Sequence, residues 1–191
     1  MSIELDKPLS GIRILDFSRV LAGPLATQQM SDLGAEVIKI EHPEHGDDTR
    51  GMKPPEIGGE SHFFLAANRN KRSVTVDFTR PEGKALVDEL AGKCDVLIEN
   101  YRKGVMSRRG LEYESMKDRH PHLIYCSISA YGRESPLADL AGFDPVLQAE
   151  AGLMSFCGEK DGDPLRHPLS IIDTYTSLYA TQAIMGAIMM K

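Results

Sequence analysis

Much of what would mark a specialised function is missing from this 191-residue chain. It has three cysteines, Cys94, Cys126 and Cys157, widely spaced and odd in number, which argues against a disulfide frame or a zinc site. Reduced, mostly buried thiols with no redox or metal role are expected. Basic residues are outnumbered, 22 Lys and Arg against 28 Asp and Glu, for a formal net charge of −6. A dedicated nucleic-acid binder neutralises phosphates with a cationic surplus, so nucleic acid is not expected as a partner and any anion site must be local. The apolar runs are too short to span a bilayer, and the start, MSIELDKPLSG, has acids where a signal peptide has basic and then apolar residues. A cytoplasmic protein without membrane association is expected. Two nucleotide fingerprints are absent as well. The segment after the first strand signal reads SRVLAGPLA rather than G-x-G-x-x-G, and G-x-x-x-x-G-K-[ST] occurs nowhere, which leaves classical NAD and ATP sites without support.

What is present is an ordinary globular composition, 41% hydrophobic and 26% charged, in alternating strand and helix signals. GIRILDFS (11–18) suits a strand, AGPLATQQMSDLG switches to helical spacing after Pro24 and stops at Gly34, and AEVIKIE (35–41) is a second strand. RSVTVDF, DVLIEN and HLIYCSIS read as further strands. TRPEGKALVDELAGK reads as a helix with a Thr79 to Glu82 capping box and Pro81 at an early position. The expected fold is α/β, a Rossmann-like, doubly wound, mostly parallel sheet with right-handed crossovers. Ligands of such sheets bind beyond the carboxyl ends of the strands, here the loops 18–24, 41–50, 79–81 and 100–104. The stretch 42–59, rich in Gly and Pro, reads as a long polar loop and the most mobile segment.

Several side chains could carry chemistry. Arg69, Lys71 and Arg72 precede a strand and suit a solvated turn better than a phosphate site. Arg102, Lys103, Arg108 and Arg109 follow a strand at the ligand-binding edge, where a phosphate site and a solvated cluster are equally compatible with the pattern. His42 and His45 lie near Asp47 and Asp48, but Pro43 and the lack of an H-E-x-x-H helix favour a polar loop over a metal site. His62, His120, His122 and His167 receive no role. Asp173 stands between the apolar Leu169, Ile171 and Ile172 and a helix, expected to be buried, with apolar residues on most faces. By itself the pattern favours an N-cap, and the same geometry would serve a carboxylate nucleophile at the mouth of an apolar pocket.

Taken together and in order, PLSGIRILDFSRVLAGPLATQQMSDLGAEVIKIEHPEHGDDTR, NRNKRSVTVDF, CDVLIENYRKGVMSRRG, HLIYCSISAYG and LSIIDTYTS resemble the family III CoA-transferases. That group contains formyl-CoA transferase, carnitine CoA-transferases and α-methylacyl-CoA racemase. Its members are longer and run through a linker into a second domain, so the resemblance covers their amino-terminal part. It implies that residues 1–191 are a CoA-binding Rossmann-like domain, incomplete and ending within a helix that starts near position 174. It also implies CoA transfer between an acyl-CoA and a carboxylic acid, with Asp173 as the acyl carrier in a covalent aspartyl intermediate. CoA would be a substrate, with no tightly bound cofactor and no metal. CoA contacts are implied at Val20, Leu21, Ala22, His42, Val76, Asp77, Phe78, Thr79, Asn100, Tyr101, Arg102 and Arg108. His42 replaces an arginine of formyl-CoA transferase, which implies a weaker or absent contact to the CoA phosphates, and Leu21 replaces a glutamine, which points away from a formyl or oxalate substrate. The racemase branch carries GHD where this chain has GFD, and Phe143 cannot move a proton, which favours acyl transfer. A racemase-like enzyme and a non-catalytic acyl-CoA-binding domain are the alternatives. The implied assembly is an interlocked homodimer of the full-length form.

Overall fold

The computed structural model describes residues 7–191. Its elements run β1 (Arg13–Asp16), α1 (Ala22–Asp32), β2 (Glu36–Glu41), β3 (Glu56–Ile57), β4 (Glu60–Ser61), α2 (His62–Asn68) and β5 (Lys71–Thr75). They continue with α3 (Pro81–Ala91), β6 (Val96–Glu99), α4 (Tyr113–Met116), β7 (Ile124–Ser127), α5 (Asp144–Glu150) and α6 (Ile171–Met189). The main sheet has the order β5-β2-β1-β6-β7, and every pairing in it is parallel. The chain therefore builds outward from β1 to one edge, returns, and builds to the other. Its order reverses between β1 and β6, the switch point at which doubly wound sheets open a crevice.

Both faces of the sheet are covered, so the inner strands are buried throughout rather than alternately. Leu15, Phe17 and Leu97 enter one core with Val87 and Ala91 of α3, while Ile14, Val37, Val96 and Ile98 enter the other with Met30 of α1 and Ile184 of α6. The end of α1 follows the sequence signal closely. Gly34, at φ +107°, lets its own N–H reach Ser31 O at 3.0 Å and the next N–H reach Met30 O at 3.1 Å, a double cap that needs a left-handed residue.

Several expectations need correction. The Thr79 to Glu82 capping box does not form: the Thr79 hydroxyl donates to Asp77 Oδ1 at 2.6 Å, and Arg80 stands at the N-cap without a side-chain bond. The backbone N–H of Thr79 donates to the same Asp77 oxygen, so local geometry favours the turn over the box. Residues 42–59 are not an open polar loop, since they contain a 3₁₀ turn (Asp48–Gly51) and strand β3, which pairs with β4 just beyond them. Arg50 ties this segment back to the sheet through Glu41, with Nε 2.8 Å from Oε2. Nor is the 69–72 cluster a solvated turn. Arg69 and Arg72 are exposed, but the Lys71 ammonium is buried, 3.1 Å from Asp16. Helix α6 is buried on one face only, through Ser177, Ala180 and Ile184, while Tyr175, Leu178 and Tyr179 are exposed. Of the free cysteines, Cys94 is buried and Cys126 and Cys157 half-buried; burial pushes the Cys94 and Cys126 thiols up to about 11. Among the described residues no helix is long and apolar enough to cross a membrane.

Candidate active site

The switch point is built around a clasp. Asn100, just past β6, accepts the Arg19 N–H at 2.8 Å and donates to the Arg19 carbonyl at 2.7 Å, which locks the loop after β1 to the loop after β6. Next to the clasp, Val20 is held at φ +66°, a costly conformation for a β-branched residue. Its N–H points to Asp47 Oδ1 at 3.3 Å, and Asp47 is pinned by the buried Lys39 ammonium at 2.8 Å. Lys39 also donates to the Ser18 carbonyl at 2.8 Å, so one buried cation ties loop 18–24 to loop 42–51. Beneath them Asp16 accepts from Thr27 at 2.6 Å and from the Ser18 N–H at 2.8 Å. Burial works against the charges of Asp16 and Lys71. For Asp16, Lys71, Lys39 and the two hydroxyls outweigh it and lower the pKa to about 2, whereas for Lys71 burial wins and lowers the ammonium to about 8.

Two adjoining cavities open at these strand ends, and Arg19 and Tyr101 line both. The first, of about 210 Å³, is lined by His42, Val76, Asp77, Phe78, Thr79 and Arg108. Its floor is aromatic, with Phe78 edge-on to Phe17 at 5.4 Å and to Tyr101 at 5.8 Å. The His42 and His45 rings stack at 4.0 Å and present a flat face, while Asp47 and Asp48 are engaged by Lys39 and Arg19 rather than by the histidines. Hydrogen bonds from Thr79 hold the Asp77 carboxyl below its ordinary value. The second cavity, of about 360 Å³, is lined by Val20, Leu21, Ala22, Asn100, Arg102 and Asp173. Every site residue named from the sequence thus faces one cavity or the other. Phe143, 66% exposed, stands at the second cavity with no proton to give.

Asp173 lies in the first turn of α6 but does not cap it. The N-cap position belongs to Ser170, whose side chain makes no capping bond, and the helix begins at Ile171 rather than near 174. Asp144 of α5 accepts the N–H groups of Ile172 at 2.8 Å and Asp173 at 3.1 Å instead. Among the described residues nothing donates a hydrogen bond to the Asp173 carboxylate. Burial raises its pKa, the neighbouring Asp144 carboxylate adds to the effect, and the result is about 6.

A model of CoA-transferase family III matches residues 9–191, nearly the whole described chain. The chain belongs to that family. Among its relatives, the succinyl-CoA:glutarate CoA-transferase of Homo sapiens is 49% identical over 97% of this chain and 42% of its own length. The succinate–glutarate CoA-transferase of Agrobacterium fabrum is 46% identical over 95% of this chain and 47% of its own. A CAIB/BAIF family protein from Brucella suis has the same fold, with a TM-score of 0.93 and 43% identity over 97% of this chain and 50% of that one. The chain therefore spans about half the length of the relatives it matches.

Within this family fold, sequence reasoning missed the groups that hold the site in place. Glu99 is buried at the end of β6, accepts the Tyr101 N–H at 2.8 Å and pairs with Arg133 at 2.8 Å, which orients a residue shared by both cavities. Arg19, whose guanidinium lies 4.9 Å from the centre of the Tyr101 ring, and Asp144 also escaped notice. For Glu99 a signal existed, an acid closing an apolar strand run at the ligand-binding edge. For Asp144 only its place beside Phe143 offered one.

Proposed function

We propose that the full-length protein is a CoA-transferase that uses Asp173 as its acyl carrier. The Asp173 carboxylate attacks the carbonyl of an acyl-CoA and expels CoA thiolate, which leaves an aspartyl anhydride. The thiolate then attacks the aspartyl carbonyl, releasing the first carboxylic acid as its carboxylate and leaving an aspartyl-CoA thioester. An incoming carboxylate attacks that thioester, forming a second anhydride, and the thiolate attacks the acyl carbon of the newcomer. New acyl-CoA departs and the Asp173 carboxylate is restored. No proton needs to be carried, in keeping with Phe143 at the cavity.

One observation carries this reading: Asp173 is a carboxylate relieved of capping and, among the described residues, without a hydrogen-bond donor, facing a cavity at the switch point of a family III fold. The first cavity, with its aromatic floor, His42 and Arg108, suits the nucleotide end of CoA, and the second suits the thioester. The relatives named as succinyl-CoA:glutarate transferases make short dicarboxylic acids the acceptor class to try first. The exposed Tyr175, Leu178 and Tyr179 of α6 offer an apolar surface for a second copy, in accord with a homodimer of the full-length form.

The test is trapping. Full-length protein incubated with succinyl-CoA and then hydroxylamine is expected to carry a hydroxamate at Asp173, because an anhydride or thioester is far more electrophilic than a free acid. A hydroxamate at any other acidic residue, or none while transfer proceeds, overturns the assignment.

A further inference from the structure

The first turn of α6 is served by a residue 29 positions earlier in the chain. Asp144 is 5% exposed, and it is fixed from several sides. Its Oδ2 takes the N–H groups of Ile172 and Asp173, and its Oδ1 accepts from the Gln148 amide. Gln148 in turn donates to the Leu169 carbonyl at 3.2 Å and accepts the His167 N–H at 2.9 Å, so the segment leading into α6 is tied to α5 as well. Just before Asp144, a Cβ at Gly142 would stand 2.3 Å from the Ala130 Cβ, so this stretch packs closely on the loop after β7. With Asp144 removed, the acceptors nearest in sequence for those N–H groups are the side chains of Ser170 and Asp173.

We propose that Asp144 is a positioning residue for acyl transfer: it takes over the helix cap, so that the Asp173 carboxylate stays unbonded in the cavity, and as a second carboxylate it favours the acylated form of Asp173. This rests on Asp173 being the acyl carrier. An anhydride or thioester at Asp173 bears no charge, so the repulsion and burial that oppose the free carboxylate do not oppose the intermediate. The free enzyme is raised relative to the acylated one, and the barrier between them falls. Asp144 itself gains and loses nothing in the reaction.

Other charges face the same cavity. Arg19 is paired with Asp48 at 3.1 Å and Arg133 with Glu99, while Arg102 and Lys103 come from the loop after β6. Helix α6 contributes no charged residue besides Asp173, and β7 contributes none. Of the acids at the cavity, Asp144 is the one bonded to the backbone of Asp173 and the one whose charge raises it.

The experiment uses full-length Asp144→Asn, whose amide oxygen can keep the cap while the charge is lost. The Asp173 carboxyl is followed by ¹³C-NMR titration and assigned by its disappearance in Asp173→Asn. It is expected to titrate near 6 in the parent and lower in Asp144→Asn, by up to about one unit because burial remains the larger cause, with the covalent aspartyl-CoA species formed from succinyl-CoA reduced by up to roughly tenfold. An Asp144→Asn protein that folds and leaves the titration unmoved overturns the proposal. So does a parent in which Asp173 titrates at its ordinary value, a result that needs no variant at position 144. Parental transfer rates in Asp173→Asn would overturn the acyl-carrier reading and this proposal with it. An inactive Asp173→Asn with an unmoved Asp173 titration in Asp144→Asn overturns this proposal alone.

Discussion

The carboxyl end of β1 and the first turn of α6 each shelter an aspartate from water, and they treat it in opposite ways. Asp16 receives Thr27, Ser18 and a buried Lys71, and it stays ionised down to about pH 2. Asp173 receives no donor among the described residues, lies near another carboxylate, and holds its proton up to about pH 6. Burial by itself thus does not decide what a carboxylate does; the supply of donors does. A fully satisfied acid is part of the frame. An acid deprived of donors in a cavity has its basicity raised and gains by losing its charge, which suits a nucleophile.

The contrast is broken most severely at Asp173 itself. Asp173→Ala in the full-length protein is expected to lower the transfer rate by on the order of 10³-fold or more while CoA affinity, measured by calorimetry, stays within about twofold. A rate within tenfold of the parent would place the acyl carrier elsewhere.

At the other region the expected loss is in stability. Lys71→Met removes the ammonium and strands Asp16 without its closest cation, which is expected to destabilise the fold by about 3–5 kcal/mol in denaturant titration. The pH dependence follows from the sign of the shift. Asp16 has its folded pKa lowered, so its contribution is present above its ordinary value of 3.8 and is lost as pH falls toward about 2. In Lys71→Met the folded pKa rises toward or above 3.8, so this acid-labile contribution shrinks or reverses. A variant that still loses as much stability as the parent between about pH 4 and pH 2 would show that Lys39, Thr27 and Ser18 suffice.

A smaller effect, of opposite sign, is expected for Asp173→Asn. Asp173 has its folded pKa raised, so its penalty is absent below the ordinary 3.8, grows as pH rises toward about 6, and is constant above that. Removing the charge is expected to stabilise the protein at pH 8 by about 1–2 kcal/mol, allowing for its partial exposure, and to change nothing at pH 3.5. Thermal unfolding at the two pH values checks this, and equal effects at both would remove the electrostatic explanation. The smallest effect belongs to Val20→Gly, which relieves a positive φ beside the clasp at the cost of backbone entropy, for a net gain of about 0.5–1 kcal/mol.

Much of the fold was legible because parallel α/β sheets write themselves locally. Each strand run and each helix signal from Gly11 to Ser127 appears in the structure, with ends shifted by a few residues, and Gly34 and Pro81 act where they stand. The loops that line the two cavities were legible as strand ends, since parallel α/β sheets open their crevices there. What stayed hidden were long-range polar contacts. Nothing around NRNKRS distinguishes Lys71, which turns inward to Asp16, from Arg69 and Arg72, which turn outward to Asp32 and Glu36. The Thr79 box failed because a competing acceptor, Asp77, lay two residues away.

Local pattern and segments kept in register were enough to read the five strands of the main sheet, helices α1, α3 and α6, the family, and Asp173 as a residue of interest. What packing added is that Asp173 does not cap α6. The deciding contact joins α5 to α6 across 29 residues: once Asp144 supplies the cap, the helix amides no longer need Asp173, and its carboxylate is left to face the cavity. Sequence spacing cannot encode that choice, because which acceptor reaches an exposed amide depends on where the packed helices bring it.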